Sequence, residues 1–596
     1  MCGIFGLVGK NCSLKVLTDG LKDLEYRGYD SAGVAYFKNR KIYSLKKVGK
    51  VENLENSLNL NEKIFGGIAH TRWATHGQPS KLNCHPQKAG NLYLVHNGII
   101  ENYLKLKQKY NLKCDSETDT EVAVKLLDFL YKKNKKILNA KNKQQKTDCM
   151  LKAIATLQQK MIGSWAMAVI TKDIFGTVFA FKNQSPLVVG ISKDINLISS
   201  DISPICKFFE KNIFDAIFLK DYEIVKIDKK IAFFNKKLKK ISKKSKKIKN
   251  FKKESSKKYF KYFMEKEIYE TPSAILSTYK WIMNSKNSRL FNLIKESKKI
   301  TFIGCGTAYH ACLVGKYYFE KYLNIKCEAV LASEFRYNKN IFQKDELVFA
   351  ITQSGETADT IAGVKLASLC GLKTIALTNV KNSSITKISN FSIFTEAGRE
   401  FAVAATKTFS CQIIALFAIT QKILKNKLNI KKYCENLQKN IENIKNFEFF
   451  NEIFNKNKFF FIGKGIDSTL ALEGALKLKE IAYLHSEGYP AGELKHGTLS
   501  LVDNQTLVVA IITDKNLKDK TLNSAFEAKA RGAKLLLVSQ LDFSKFDYKI
   551  KIDEEIEDLN CIDAIVPLQF LAYFISLKLG YDPDRPRNLA KSVTVE

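Results

Sequence analysis

A cysteine stands directly behind the initiator methionine, in Met1-Cys2-Gly3-Ile4-Phe5-Gly6. With the methionine removed, Cys2 would carry both a thiol nucleophile and a free α-amine, whose pKa of about 8 suits proton transfer at neutral pH. Polar motifs follow in the same half: Tyr26-Arg27-Gly28-Tyr29-Asp30-Ser31-Ala32-Gly33, His70-Thr71-Arg72-Trp73-Ala74-Thr75-His76-Gly77, His96-Asn97-Gly98 and Ser116-Glu117-Thr118-Asp119-Thr120-Glu121. In the second half, the hydroxyl-rich run Thr352-Gln353-Ser354-Gly355-Glu356-Thr357 sits where a buried strand gives way to helical spacing. A helix N-terminus there supplies unpaired N–H donors and a positive dipole end, which suit a phosphate. Glu473, Lys477 and Glu480, spaced four and three apart, share one helix face. Either a surface ladder of ion pairs or a proton-transfer site has that spacing. Gly492-Glu493-Leu494-Lys495-His496-Gly497 adds a histidine, and the last eleven residues, Pro586 to Glu596, include Lys591.

The elements that must hold these groups are legible too. Gly3 and Gly6 bracket a tight, buried first strand, and Asp221 to Lys230 alternates like the closing strand of a first domain. Asn97-Gly98 alone would read as a hairpin turn. The second half repeats itself: Phe302-Ile303-Gly304-Cys305-Gly306 returns as Phe461-Ile462-Gly463-Lys464-Gly465, and Ala332-Ser333-Glu334 returns as Ala491-Gly492-Glu493 at the same offset. A duplicated strand, glycine turn and helix in a parallel sheet explains this.

The first-half motifs together resemble the glutaminase domain of N-terminal-nucleophile amidotransferases. That resemblance implies that Cys2 attacks the side-chain amide of glutamine, with the Asn97 side chain and Gly98 N–H as oxyanion hole. It implies that Arg72 holds the substrate carboxylate and Asp119 its ammonium, that Trp73, Thr75 and His76 shape the site, and that Arg27 supports it. The duplicated half resembles sugar-isomerase (SIS) domains. Gly306, Thr307, Thr352, Gln353, Ser354 and Thr357 then become sugar-phosphate ligands, joined by Val403 and Ala590. Glu480 moves a proton between C1 and C2, Lys477 supports it, and His496 opens the sugar ring. The tail resembles that of the glutamine–fructose-6-phosphate aminotransferase family, in which the lysine matching Lys591 forms a Schiff base with the ketose. Ala308, Ala405, Thr352 and Thr271 depart from the usual pattern of that family without removing a proposed catalytic group.

The resemblance implies an α/β multidomain chain: an αββα glutaminase sandwich over 2–228, a Lys-rich linker at 229–258, SIS subdomains at 259–440 and 441–580, and a catalytic tail at 581–596. It implies L-glutamine and D-fructose 6-phosphate as substrates and a homodimer built on the SIS domains. Released ammonia must stay unprotonated, which calls for a dry passage lined by the tail and gated by Trp73.

Composition bounds the alternatives. The 596 residues suffice for several cores, and 45% are hydrophobic. No uninterrupted apolar run reaches the roughly 18 residues of a membrane span; the closest, Ala564 to Gly580, contains Pro567, Gln569 and Lys578. The start lacks the pattern of a secretory signal, so a cytoplasmic location is expected. The 13 cysteines, an odd number without a C-x-x-C pair, and the 7 histidines predict reduced thiols and no metal or cofactor. The net charge of +36 raises nucleic-acid binding, but 15 lysines lie in 229–258 and seven in 132–146, without arginine. Such low-complexity runs read as solvated connections, so no nucleic-acid or membrane partner is expected. Rival readings are an amidotransferase with a phosphoribosyl or nucleotide acceptor, for which no motif is present, and a sugar-phosphate sensor, which would have no use for Cys2.

Overall fold

The structure, a computed structural model, describes residues 2–594 except 26–27, 75, 193, 210–213, 229, 249–256, 258, 338–341, 344, 445–448, 454 and 554. The chain divides into two compact units, Met1–Lys253 with Ser592–Glu596, and Glu254–Lys591.

In the first unit, strand Gly3–Ser13 lies inside an eight-stranded antiparallel sheet, between Ile195–Ser199 and Lys63–Arg72. Strand Leu92–Ile100 lies in a second, seven-stranded antiparallel sheet beside Gly163–Thr171. Because side chains alternate along a strand, Ile4 and Val8 face the second sheet and meet Val95, Ala166 and Ala168, whereas Phe5 and Leu7 face outward onto Leu14, Leu17 and Leu21 of helix Leu14–Lys22. Helices Asp119–Ile137 and Lys143–Lys160 cover the other face of the second sheet through Leu126, Leu127, Ile154 and Leu157. Each such side chain, fully buried, contributes about 1.5–3 kcal/mol. The layers therefore run helix, sheet, sheet, helix. Asn97 and Gly98 are strand residues rather than a hairpin turn.

The Lys-rich stretch corrects the expected linker. Ile231–Phe234 and Lys240–Ile241 extend the second sheet, and Lys246–Ile248 pairs with Phe214–Phe218 at the edge of the first. Ile231, Phe233, Phe234, Ile241 and Ile248 supply apolar contacts, with Phe233 buried, while Lys240, Lys246 and Lys247 are exposed on the edge strands, where charge blunts unwanted pairing. Strand Ile224–Ile227 is thus followed by three more strands, and the remaining linker, 249–256 and 258, lies outside the described residues. The other lysine run, 132–146, spans the end of one helix and the start of the next.

The second unit holds two five-stranded parallel sheets of the same strand order. One runs Lys326–Leu331, Lys299–Gly304, Glu346–Thr352, Lys373–Thr378, Phe391–Phe394; the other Ser486–Pro490, Lys458–Gly463, Thr506–Ile512, Lys534–Ser539, Tyr548–Lys551. This equivalence accounts for the sequence repeat. Helices pack on both faces, so the strands read as continuous apolar runs. Helix Asn560–Lys578 belongs to a segment long and apolar enough to cross a membrane, but 94% of its apolar window is buried in the fold, as in a core helix.

Within that helix, burial pushes the Asp563 carboxyl up to about 8, although the Tyr433 hydroxyl donates to it at 2.9 Å. A carboxyl raised in the folded state contributes stability that is complete below its unfolded value and is lost as pH rises through about 8. Thermal scans should therefore show Tm falling across that window, and Asp563→Asn should lift the alkaline side by a few degrees, roughly.

Candidate active sites

Cys2 stands immediately before the first strand, beside the loop that follows strand Lys63–Arg72. Its Sγ accepts the Trp73 N–H at 3.3 Å, and its carbonyl accepts the Asn97 Nδ2–H at 2.9 Å. Burial pushes the Cys2 thiol up, partly offset by the Trp73 N–H and the Arg72 charge, so attack by sulfur requires a base to take its proton. Arg72 is buried; one terminal nitrogen donates to the carbonyls of His76 and Gly77, the latter at 3.0 Å. Its Nη1 has no hydrogen-bond partner among the described residues, leaving a buried cationic donor beside the thiol's surroundings. Asp119 opens its helix with Oδ2 accepting the Ile100 N–H at 2.8 Å, so its orientation is fixed by the strand that carries Asn97. The His76 ring stacks edge-on with Tyr103. Arg27 and Thr75 lie outside the described residues.

Gly98 is required by space as well as conformation. Its φ is +135°, and a Cβ would stand 2.1 Å from the Ser164 carbonyl oxygen. Gly98→Ala is expected to cost about 1–3 kcal/mol of stability and to impair glutamine hydrolysis, read by thermal unfolding and glutamate release.

In the second unit, Gly306 and Thr307 start helix Thr307–Leu323. Thr307 faces helix Ile466–Ala482: its hydroxyl donates to Glu473 at 3.0 Å and accepts from Lys477 Nζ at 3.0 Å. His310 Nδ1 is 2.6 Å from Glu473, and Lys477 is 2.5 Å from Glu480. Glu473 and Lys477 are 0% exposed, which excludes the surface-ladder alternative. Burial opposes charge on Lys477, but Glu473 and Glu480 outweigh it and hold its pKa up; burial raises Glu480 despite Lys477, which suits a carboxylate that must pick up and return a proton.

The phosphate-loop candidates form a tight turn before helix Ala358–Leu369. Thr352 and Thr357 hydroxyls lie 3.0 Å apart, Gly355 N–H donates to Thr352 at 3.3 Å, and Glu356 N–H donates to Ser354 at 3.1 Å. The Gln353 carbonyl is held by the Asn379 N–H at 3.0 Å. Gly355 has φ +68° and a Cβ there would meet Ser383 Oγ at 2.1 Å, so Gly355→Ala should distort this loop and raise the sugar-phosphate KM about tenfold or more in steady-state assays.

Lys591 forms a buried ion pair with Glu400. Glu400 also accepts from Thr406 N–H at 3.0 Å, Thr408 N–H at 3.1 Å and the Thr408 hydroxyl at 2.7 Å. Glu267, which accepts the Phe401 and Ala402 N–H groups, is pushed up to about 8 by burial and by the Glu400 charge. Asp584 caps the N–H groups of Phe263 and Met264 at 2.8 Å each, and its carbonyl accepts the Val403 N–H at 3.1 Å, tying the tail to the segment that carries Val403. Ala590 is half-buried beside Lys591.

His496 shares no hydrogen bond or ion pair with these groups. It ends a short helix, is exposed, and makes no hydrogen bond or ion pair among the described residues. Sequence reasoning missed His310, Glu267, Glu400 and Asp584, which lie in no recognisable motif; the acceptor demand of a buried Lys591 is the one signal that called for Glu400.

Comparisons with known proteins agree with this arrangement. The SIS domain family model matches residues 293–421 and 452–573. Glutamine–fructose-6-phosphate aminotransferases (isomerizing) of Clostridium tetani and Caldanaerobacter subterraneus are 39% and 40% identical to the chain, each over 100% of both proteins. That of Aquifex aeolicus is 39% identical, again over 100% of both. The solved C-terminal domain of a glucosamine-fructose-6-phosphate aminotransferase from Francisella tularensis is 35% identical, with TM-score 0.50, covering 55% of this chain and 100% of that domain. With full-length relatives at this identity and two buried polar sites built as described, the chain belongs to the glutamine–fructose-6-phosphate aminotransferase (isomerizing) family.

Proposed function

We propose that this enzyme transfers the amide nitrogen of L-glutamine to D-fructose 6-phosphate, giving D-glucosamine 6-phosphate and L-glutamate, a supply of amino sugar. The observation that carries this reading is similarity along the entire length of both chains, glutaminase half, isomerase half and tail together.

In the first unit, read as an N-terminal-nucleophile glutaminase, Cys2 attacks the glutamine amide carbon while its α-amine takes the thiol proton. That proton goes to the leaving ammonia, and water then hydrolyses the thioester to glutamate. Asn97 and Gly98 donate to the oxyanion, Arg72 binds the α-carboxylate and Asp119 the α-ammonium, with Trp73, Thr75 and His76 around them. In the second unit, the 352–357 turn with Gly306 and Thr307 binds the sugar phosphate. Lys591, freed of its proton, forms an imine at C2 of the open ketose with loss of water. Ammonia displaces the lysine, and Glu480 carries a proton from C1 to C2 to give the aldose. Lys477 steadies the charge on Glu480 and the developing enolate-like oxygen, Val403 and Ala590 border the sugar, and His496 opens the ring.

A homodimer through the isomerase units and a cytoplasmic location complete the proposal. None of the 13 cysteines is joined in a disulfide, as a reducing compartment would keep them. Glutamine labelled at its amide nitrogen, mixed with fructose 6-phosphate, should give labelled glucosamine 6-phosphate and matching glutamate by mass spectrometry. Glutamate without amino sugar would overturn the acceptor assignment.

A further inference from the structure

Behind Asn97 lie three buried histidines that none of the proposed steps uses. His70 Nε2 is 3.1 Å from Asn97 Oδ1 and 2.8 Å from the His96 carbonyl oxygen. Both partners can only accept, so Nε2 of His70 carries the hydrogen and donates to them. His85 Nδ1, 3.3 Å from the same nitrogen, then faces an N–H and must be the unprotonated nitrogen of its ring. His96 in turn sets its Nδ1 3.0 Å from the Thr120 hydroxyl. His70 is 1% exposed and His85 is 4% exposed, and burial lowers the pKa of each, that of His70 to about 3. His70 therefore keeps one neutral tautomer through the physiological range.

The consequence falls on the amide of Asn97. An amide can turn over by half a rotation, exchanging a donor for an acceptor at the same place. With Oδ1 turned toward Cys2, an acceptor would oppose the Cys2 carbonyl, and the Nε2–H of His70 would face an N–H. We infer that His70 is a positioning residue for glutamine hydrolysis: its Nε2–H holds Asn97 Oδ1, and so keeps Nδ2 aimed at Cys2 and at the oxyanion that forms there. His85 supports His70 by packing against it, with tilted rings whose centroids are 4.3 Å apart, and by offering only a lone pair. This rests on the reading of Asn97 as an oxyanion donor.

The test uses the full-length protein and compares His70→Leu, His70→Gln, Asn97→Ala and the double variant Asn97→Ala with His70→Leu. His70→Leu should lower kcat for glutamine hydrolysis about tenfold or more, because a misdirected donor forfeits part of the 10²–10³ that such a donor is worth in other enzymes, while KM for glutamine changes less than about threefold. Alkylation of Cys2 by iodoacetamide, a displacement that develops no oxyanion, should proceed at the parental rate, followed by the mass of the Cys2 peptide. His70→Gln retains a donor and should recover most of the loss. In the Asn97→Ala background, His70→Leu should add nothing, since its effect runs through that side chain. Additive losses in the double variant, or equal losses of hydrolysis and alkylation, would overturn the inference and leave His70 a packing residue. If His70→Leu fails to fold, the comparison of His70→Gln with the parent decides by the same two readouts. Full hydrolysis in Asn97→Ala would instead remove the oxyanion reading itself, a result distinguishable from an impaired Asn97→Ala beside an unimpaired His70→Leu.

Discussion

Cys2→Ala should abolish glutamine-dependent synthesis, with glutamate release falling on the order of 10⁴-fold or more, as loss of a covalent nucleophile does elsewhere. The effect should be confined to one half-reaction. Cys2 is only partly buried, immediately before a strand whose Ile4 and Phe5 supply the core contacts, so the alanine variant keeps the fold of its unit. Conversion of fructose 6-phosphate to glucose 6-phosphate, followed without glutamine, should be unchanged. Sequencing of the active protein should begin at Cys2, because the raised thiol pKa leaves too little thiolate for attack unless the α-amine is there to take the proton. Retention of Met1 in fully active enzyme would sink the nucleophile assignment.

Lys591→Ala should remove amination and isomerisation together, by about 10³-fold or more, while sugar phosphate still binds through the 352–357 turn. Two effects must be separated here. Removing the ammonium strands Glu400 as a buried, unpaired carboxylate, a change that costs about 3–5 kcal/mol in comparable pairs. Lys591→Arg keeps a cation beside Glu400 but cannot form the imine, since a guanidinium stays protonated. Equal loss of turnover in both variants, with stability lost only in the alanine variant, assigns the effect to chemistry. Borohydride reduction in the presence of fructose 6-phosphate should fix a mass increment on the Lys591 peptide. Unchanged turnover in Lys591→Arg would exclude the Schiff base.

The sequence by itself determined the groups whose chemistry is local. Cys2, the His70 to Gly77 motif, the 352–357 turn and the Glu473, Lys477, Glu480 spacing stood out as candidates because each is a short run of chain whose residue types and spacing are visible without any tertiary contact. The duplicated parallel sheets were readable for the same reason, since strands buried on both faces leave uninterrupted apolar runs bounded by glycine turns. Charge patterning misled at 231–248, where a lysine excess hid the short apolar groups Ile231 to Phe234, Ile241 and Ile248 that suffice for three short strands.

Only the tertiary structure decided what neutralises and orients those groups. Glu400 meets Lys591 across 191 positions of chain, and Glu267 binds the Phe401 N–H across 134. His70 reaches Asn97 because neighbouring strands of the two packed sheets bring them together, and His310 reaches Glu473 across the two isomerase repeats. Buried charges and amides must find partners wherever the fold brings acceptors and donors within about 3 Å, and no periodicity in the chain records those encounters.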